Sequence, residues 1–145
     1  MKKETLLLSF ILTIILFSCN KDNCSSKLGF TLSYNLFDKI NVNGDSYCSL
    51  VNKSLNLDEE SILSMCKLKF NSGASYEHGA VIIEIIDKVS EEKFISIYRK
   101  LSIAERKYLY NSIIFAGLEF TLNNKYKGFH ISKAFPLLTT EFNKL

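Results

Sequence analysis

Residues 76–89 read YEHGAVIIEIIDKV, and this stretch decides the fold class. On a helix of 3.6 residues per turn, its apolar side chains cover more than half of the circumference, and only Glu84, Asp87 and Lys88 mark a polar stripe. We therefore predict the central helix of a core. The run VIIEII at 81–86 also suits a buried strand, an alternative that periodicity alone does not remove.

Two further helices are predicted downstream, and a serine precedes each of them. Ser90 is placed to cap a helix that gathers four apolar residues on one face, namely Phe94, Ile97, Tyr98 and Leu101. Residues 102–105 read SIAE, in which Ser102 and Glu105 have the spacing of a capping box. The helix that this box begins is predicted to run to about Leu122. Such short connections make successive helices fold back on one another.

The upstream region contributes a helix, a turn and an uncertain first element. Asp58 is the predicted N-cap of a helix that ends near Phe70. The sequence NVNGD at 41–45 predicts a turn. Apolar residues alternate with other residues over 28–36, which favours a half-buried strand, with a helix over 28–40 as the alternative.

The C-terminal segment combines basic and aromatic residues before a last helix. After Asn123 and Asn124, residues 125–135 read KYKGFHISKAF, and Pro136 is placed to start a short helix through Phe142. The predicted fold class is therefore mainly α. It is a small helical cluster, with a short N-terminal strand or hairpin after a flexible tether.

Composition is consistent with one folded domain. The chain has 145 residues, 47% of them apolar and 23% charged. Its formal charge is +3, and removal of residues 1–18 takes away Lys2, Lys3 and Glu4, which leaves +2. So small a charge does not point to nucleic acid as a partner.

The N-terminus carries a short apolar segment behind two lysines. Residues 6–17 read LLLSFILTIILF, and twelve residues of helix span about 18 Å, well short of a hydrocarbon core of roughly 30 Å. The length is typical of the core of a signal peptide. An ordinary cleaved signal, with Ser18 as the small residue, and an uncleaved anchor are the alternatives.

The residues that follow, Leu16-Phe17-Ser18-Cys19, resemble the lipobox of bacterial lipoproteins. Phe17 departs from the small or aliphatic residue that is commonest at its position. The resemblance implies that the Cys19 thiol receives a diacylglyceryl group, that signal peptidase cuts between Ser18 and Cys19, and that the new amine is acylated. Several acyl chains would make attachment to a membrane effectively permanent. No family is recognised for the mature domain.

The predicted organisation follows from that cleavage site. Residues 1–18 form the signal peptide, residues 19–27 the lipidated cysteine and a polar tether, and residues 28–145 one helical domain. Asn20 is not the aspartate that retains many lipoproteins in the inner membrane, so the resemblance implies the outer membrane of a Gram-negative envelope. The pair Lys21-Asp22 resembles the charged export tag of some surface lipoproteins, so the periplasmic or surface side stays open.

Three further cysteines, Cys24, Cys48 and Cys66, lie in a compartment that permits disulfides. We predict a bridge between Cys48 and Cys66, because both lie inside the domain. The alternative is three reduced and mostly buried thiols. The spacing of these cysteines does not fit a metal site, and we predict no metal and no cofactor.

The residues that carry reactive groups show no catalytic motif. Glu77 precedes His78, but neighbouring residues on a helix point about 100° apart, so a solvated helix end or a structural hydrogen bond is the favoured interpretation. Glu105, Ser112 and Glu119 follow a seven-residue spacing, which puts the two carboxylates about 21 Å apart and predicts a solvated seam. We expect two neighbouring elements to cover the apolar remainder of that helix.

Lys125, Lys127 and Lys133 alternate with Tyr126, Phe129 and Phe135. Such a segment fits an acidic partner or lipid head groups, although a solvated turn over a hydrophobic strand is the favoured interpretation.

The function predicted from the sequence is that of a non-enzymatic, lipid-anchored envelope protein. Its partners are the membrane, through the N-terminal lipid, and another protein that it binds or an assembly that it stabilises. An immunity protein against an envelope-delivered toxin is one specific form. An envelope hydrolase and a carrier of a small ligand or lipid, built around 76–89, are the alternatives.

Overall fold

The computed structural model describes Cys24, Leu28, Leu32, Ser33, residues 40–42 and residues 44–145. The predicted signal peptide, the lipobox with Cys19, and most of the tether and of the strand predicted at 28–36 lie outside these residues. The described part is mainly helical, with one short antiparallel hairpin near its N-terminus. This confirms the predicted fold class.

The order of elements follows the chain. The hairpin pairs β1 (Asn41–Val42) with β2 (Asp45–Ser46) around the predicted turn. The helices are α1 (Tyr47–Leu55), α2 (Glu59–Lys67), α3 (Gly73–Val89), α4 (Glu91–Tyr98), α5 (Ile103–Tyr108), a π-helical segment (Leu109–Ile114), α6 (Phe115–Phe120), α7 (Ile131–Ala134) and α8 (Pro136–Phe142). No helix in this described part is both long enough and apolar enough to cross a bilayer.

Helix α3 lies at the centre of the core, as predicted, and the alternative of a strand at 81–86 is wrong. Nine of its residues are buried, namely His78, Gly79, Ala80, Val81, Ile82, Ile83, Ile85, Ile86 and Val89. The helix also begins at Gly73, three residues before the predicted start. A core that encloses α3 on nearly every side accounts for its narrow polar stripe.

The predicted caps are present. The side chains of Asp58 and Ser90 accept hydrogen bonds from the backbone of Ser61 and Lys93. Ser102 and Glu105 form both bonds of the capping box, with Glu105 Oε2 2.8 Å from the Ser102 nitrogen. These bonds satisfy amide groups that a helix leaves unpaired in its first turn, so each helix begins where the sequence predicts.

Helix α3 crosses the continuous helical stretch made of α5, the π-helical segment and α6, and the contact is between two glycines. A Cβ atom added to Gly79 would lie 2.2 Å from the Ile113 carbonyl oxygen, and one added to Gly117 would lie 2.2 Å from the Gly79 carbonyl carbon. The backbones therefore touch directly, which only glycine allows at these positions. The π-helical segment Leu109–Ile114 immediately precedes α6, where an uninterrupted α-helix was predicted.

Helix α8, the last helix of the sequence, packs against α4. The Arg99 guanidinium donates from Nε and Nη2 to the two carboxylate oxygens of Glu141, each at 2.8 Å. Arg99 together with Lys144 holds the pKa of Glu141 at about 2. The Tyr110 ring stacks on Phe142 with centroids 4.0 Å apart. A polar and an aromatic contact thus hold α8 in place, and α8 has the predicted bounds.

The disulfide joins Cys24 to Cys48, so the predicted Cys48–Cys66 bridge is wrong. Cys66 is a free, buried thiol on α2, and burial raises its pKa. The prediction assigned Cys24 to a solvated tether, whereas the structure buries it fully beside the first turn of α1, with the two Cα atoms 5.2 Å apart. The disulfide therefore attaches Cys24, a residue of the predicted tether, to the first turn of α1.

Candidate functional site

His78 is fully buried in the first half of α3, and both of its ring nitrogens have partners. Nδ1 lies 2.9 Å from the Tyr47 hydroxyl and Nε2 lies 3.1 Å from the Met65 carbonyl oxygen. Because a carbonyl only accepts, Nε2 carries the proton and Nδ1 accepts from Tyr47. Burial lowers the pKa of His78 to about 3, while the Met65 hydrogen bond acts in the opposite direction, so the ring is neutral.

Glu77 points elsewhere, although it is adjacent in sequence. Its Oε2 accepts a 2.7 Å hydrogen bond from the Ser33 backbone nitrogen and so connects α3 to the N-terminal segment. Burial, and in second place the charge of Glu77, raises the pKa of Tyr47. Glu77 and His78 are therefore two structural groups rather than an acid–base pair. The predicted structural hydrogen bond of His78 is confirmed, and the solvated helix end is wrong.

The seam of Glu105, Ser112 and Glu119 is solvated, as predicted. Glu105 uses its carboxylate in the capping box, and the hydrogen bonds from Ser102 lower its pKa. Ser112 and Glu119 are exposed. The carboxylates serve a helix end and a surface, and they do not converge on one point.

Glu84 and Asp87 hold the segment after α6, a role that the sequence interpretation missed by treating them as solvent-facing. Asn123 donates to Glu84 at 3.2 Å, while Tyr126 and Lys125 both donate to Asp87. Burial raises the pKa of Glu84. Burial also acts to raise the pKa of Asp87, but the bonds from Lys125 and Tyr126 outweigh it, so that pKa is lowered.

This cluster has the opposed pKa shifts of an acid–base pair, but each carboxylate already has a partner in the chain. The bonds join the C-terminal half of α3 to residues 123–126. Glu84 and Asp87 also line a surface hollow of about 400 Å³, together with Leu55, Asn56 and Lys88. The hydrogen bonds from residues 123–126 therefore use both carboxylates to stabilise the turn after α6.

A larger hollow of about 550 Å³ lies beside α6, and we call it the C-terminal groove. Its apolar lining is Phe115, Leu118, Phe129 and Ile131, and its polar lining includes Glu119, Lys127 and His130. Phe115 is 47% exposed. Phe120 and Leu122, at the end of the same helix, are 44% and 66% exposed. The expectation that neighbouring elements cover the apolar side of this helix is therefore wrong for Phe115 and Phe120.

In the segment of lysines and aromatics, residues 125–135, some side chains have partners within the fold and others are exposed. Tyr126 and Phe135 are buried with ring centroids 5.1 Å apart, and Lys125 is paired with Asp87. Lys127 is exposed in the groove, and the Lys133 ammonium lies 4.1 Å from the centroid of the Phe129 ring. Lys127 and Lys133, which have no carboxylate partner among the described residues, are the basic groups of this segment that remain for another molecule.

Comparisons with known proteins give no information about this site. No family model, no curated protein and no solved structure matches the chain. Over the described residues, no three or more His, Cys, Asp or Glu side chains are grouped so as to hold a metal ion.

Proposed function

We propose that this protein is a lipid-anchored lipoprotein of the cell envelope, sorted to the outer membrane, whose helical domain binds a protein partner through the C-terminal groove. The anchor rests on the lipobox-like segment that ends at Cys19. The binding role rests on one observation, the concentration of exposed apolar side chains along α6 and beside it.

An exposed apolar hollow favours a binding role because solvation of such a surface is costly. Phe115 and Phe129 both line the hollow, and Phe120 and Leu122 are exposed at and just after the end of α6. The hollow is large enough to accept a large side chain and its neighbours. Aromatic and aliphatic groups in such a setting commonly carry most of the binding energy of an interface.

The charged side chains at the groove indicate which kind of protein segment would bind there. Within the described part of the chain, neither Lys127 nor Lys133 forms an ion pair, whereas the nearby Lys125 does. Among the lining residues that the structure describes, Glu119 is the one carboxylate. The excess of positive charge favours a partner segment in which acidic residues flank a large apolar side chain. A toxin neutralised at the envelope is one protein that would fit this description.

The structure gives less support to the alternatives. A hydrolase that used His78 as its base would need substrate to reach a ring that is fully buried and bonded at both nitrogens. A carrier built around 76–89 would need space along α3, yet its apolar side chains pack inside the protein. The groove is a surface feature, on a different helix.

Photo-crosslinking in cells tests the proposal. A photoreactive amino acid at Phe115 of the full-length protein should give one discrete crosslinked species, and the same group at Ser96, exposed on α4, should not. Lys127→Glu should weaken that crosslink severalfold, because it places a negative charge against an acidic segment. Lys107→Glu is the matched control, since Lys107 is also exposed and lies outside the groove lining. Identical patterns at Phe115 and Ser96 would contradict the proposal.

A further inference from the structure

We infer that Glu84 and Asp87, two carboxylates on α3, are positioning residues of the C-terminal groove, because their hydrogen bonds hold one wall of it in place. The inference rests on the proposed function, since it concerns the groove through which a partner protein would bind. It goes beyond that function by making binding depend on two residues that are not among those that line the groove.

The first step is the construction of the groove. Helix α6 contributes part of its lining, and the consecutive residues 127–131 contribute another part, which we call the groove wall. Helix α6 ends at Phe120 and α7 begins at Ile131, so residues 127–130 lie in a turn and in irregular backbone. The position of the groove wall therefore depends on hydrogen bonds and packing outside regular secondary structure.

The second step is the attachment of the groove wall to the two residues that fix its backbone. The Lys127 nitrogen donates to the Asn123 carbonyl oxygen at 3.2 Å, and the Phe129 nitrogen donates to the Tyr126 carbonyl oxygen at 3.0 Å. Lys127 and Phe129 are the basic and the aromatic group of the wall on which the proposed binding role relies. Their positions therefore follow from those of Asn123 and Tyr126.

The third step connects these two residues to α3 through their side chains. Asn123 Nδ2 donates to Glu84 Oε1 at 3.2 Å, and the Tyr126 hydroxyl donates to Asp87 Oδ1 at 2.6 Å. Glu84 and Asp87 are three residues apart, which places them on the same face of the helix. Nine residues of α3 are buried. Two hydrogen-bonded paths therefore connect the groove wall to a helix at the centre of the core.

A groove wall that is already in position favours binding, because association then does not have to order it. Hydrogen bonds that a carboxylate accepts are stronger than those between neutral groups. The bonds to Glu84 and Asp87 are therefore suited to hold the wall, in addition to the packing of the Tyr126 ring on Phe135. Removal of either bond should leave the fold intact and weaken binding at the groove.

Deletion of one hydroxyl group tests the inference, with photo-crosslinking from Phe115 of the full-length protein in cells as the measure of binding. Tyr126→Phe removes the bond to Asp87 and keeps the ring that packs on Phe135, with centroids 5.1 Å apart. We expect the discrete crosslink, normalised to the amount of protein, to weaken at least severalfold.

Tyr108→Phe is the matched control. It also deletes a hydrogen-bonded tyrosine hydroxyl, but this one is paired with the backbone of Phe70, outside the groove lining. The crosslink should therefore keep its wild-type strength. Hydrogen–deuterium exchange of the peptide that covers residues 127–131 reports on the wall without any partner. It should be faster than wild type in Tyr126→Phe and unchanged in Tyr108→Phe.

A paired substitution at the second bond provides a rescue. Asn123→Asp places a carboxylate against Glu84, so two negative groups repel each other and the crosslink should weaken. Combination with Glu84→Gln again puts an amide opposite a carboxylate, with donor and acceptor exchanged, and the crosslink should return to near its wild-type strength. A general loss of stability would not be reversed by the second substitution.

Failure of this inference is distinguishable from failure of the proposed function. A wild-type protein that gives no discrete crosslink at Phe115 would overturn the binding role of the groove and the inference with it. A wild-type crosslink that keeps its strength in Tyr126→Phe, or that weakens equally in Tyr108→Phe, would overturn the inference alone. A double variant that crosslinks no better than Asn123→Asp would do the same.

Discussion

At the scale of single residues, the contact between Gly79 and Gly117 places the tightest constraint on the core. Gly79→Ala would put a methyl group 2.2 Å from the Ile113 carbonyl oxygen, which is backbone and cannot rotate away. The helices would have to separate, so we expect a loss of about 3 kcal/mol in the free energy of unfolding, the upper end of the usual cost of overpacking. Urea denaturation followed by circular dichroism measures it.

Gly73→Ala provides the matched control for this substitution. Gly73 lies in the same helix, and a Cβ atom there meets nothing within 4 Å. Alanine should leave stability unchanged or raise it by up to about 1 kcal/mol, since it favours the helix. Equal effects of the two substitutions would show that the close helix crossing is absent.

His78 should make stability depend on pH. In the unfolded chain its pKa is near 6.5, whereas in the fold it is about 3, so the unfolded state binds the extra proton first as pH falls. The contribution is complete above about pH 6.5 and is lost progressively toward pH 3, with a slope of up to about 1.4 kcal/mol per pH unit. Unfolding measured between pH 7.5 and 4 tests this.

Two variants isolate the effect of His78. His78→Gln retains an amide that can donate to the Met65 carbonyl but does not titrate, so this slope should disappear even though the variant is less stable at neutral pH. Ser96→Ala, at an exposed and non-titrating position of α4, is the control and should keep the wild-type slope. An unchanged slope in His78→Gln would refute the assignment.

At the scale of elements, the disulfide fixes the segment before the hairpin to α1. The bridge closes a loop of 24 residues, and its loss should cost about 3.5 kcal/mol in the chain-entropy account. Cys48→Ser should lower stability by that order, measured without reductant. Peptide mapping under non-reducing conditions should link Cys24 to Cys48, and Cys66 should be alkylated only after unfolding. A Cys48–Cys66 peptide would contradict the structure.

The helices whose ends carry their own signals were predictable from the sequence. Asp58, Ser90, Ser102 and Pro136 each begin a helix at the predicted residue, because caps and proline act locally. Helix α1 was missed, although Ser46 caps it, because its buried positions include Ser54, a polar residue in an otherwise apolar face. The π-helical segment packs against α3, and no local pattern in the sequence predicted it.

At the scale of the whole molecule, the candidate site was harder to predict than the fold. The apolar pattern of 102–122 identified a helix but could not show which apolar residues the rest of the chain leaves uncovered, and Phe115 is one of these. Lys127 and Lys133 were recognised as a candidate surface, while the partners of Lys125 and Tyr126 became visible only with α3 in place. Long-range packing determines both which apolar residues stay uncovered and which partners Lys125 and Tyr126 have.

The central claim is that lipid on Cys19 holds this helical domain on the envelope, and metabolic labelling with an alkyne-bearing fatty acid tests it most directly. The wild-type protein and Cys24→Ala, the neighbouring cysteine variant, should both be labelled, and Cys19→Ala should not be labelled at all. An unlabelled wild-type protein, or a Cys19→Ala variant that still carries the label, would contradict the account.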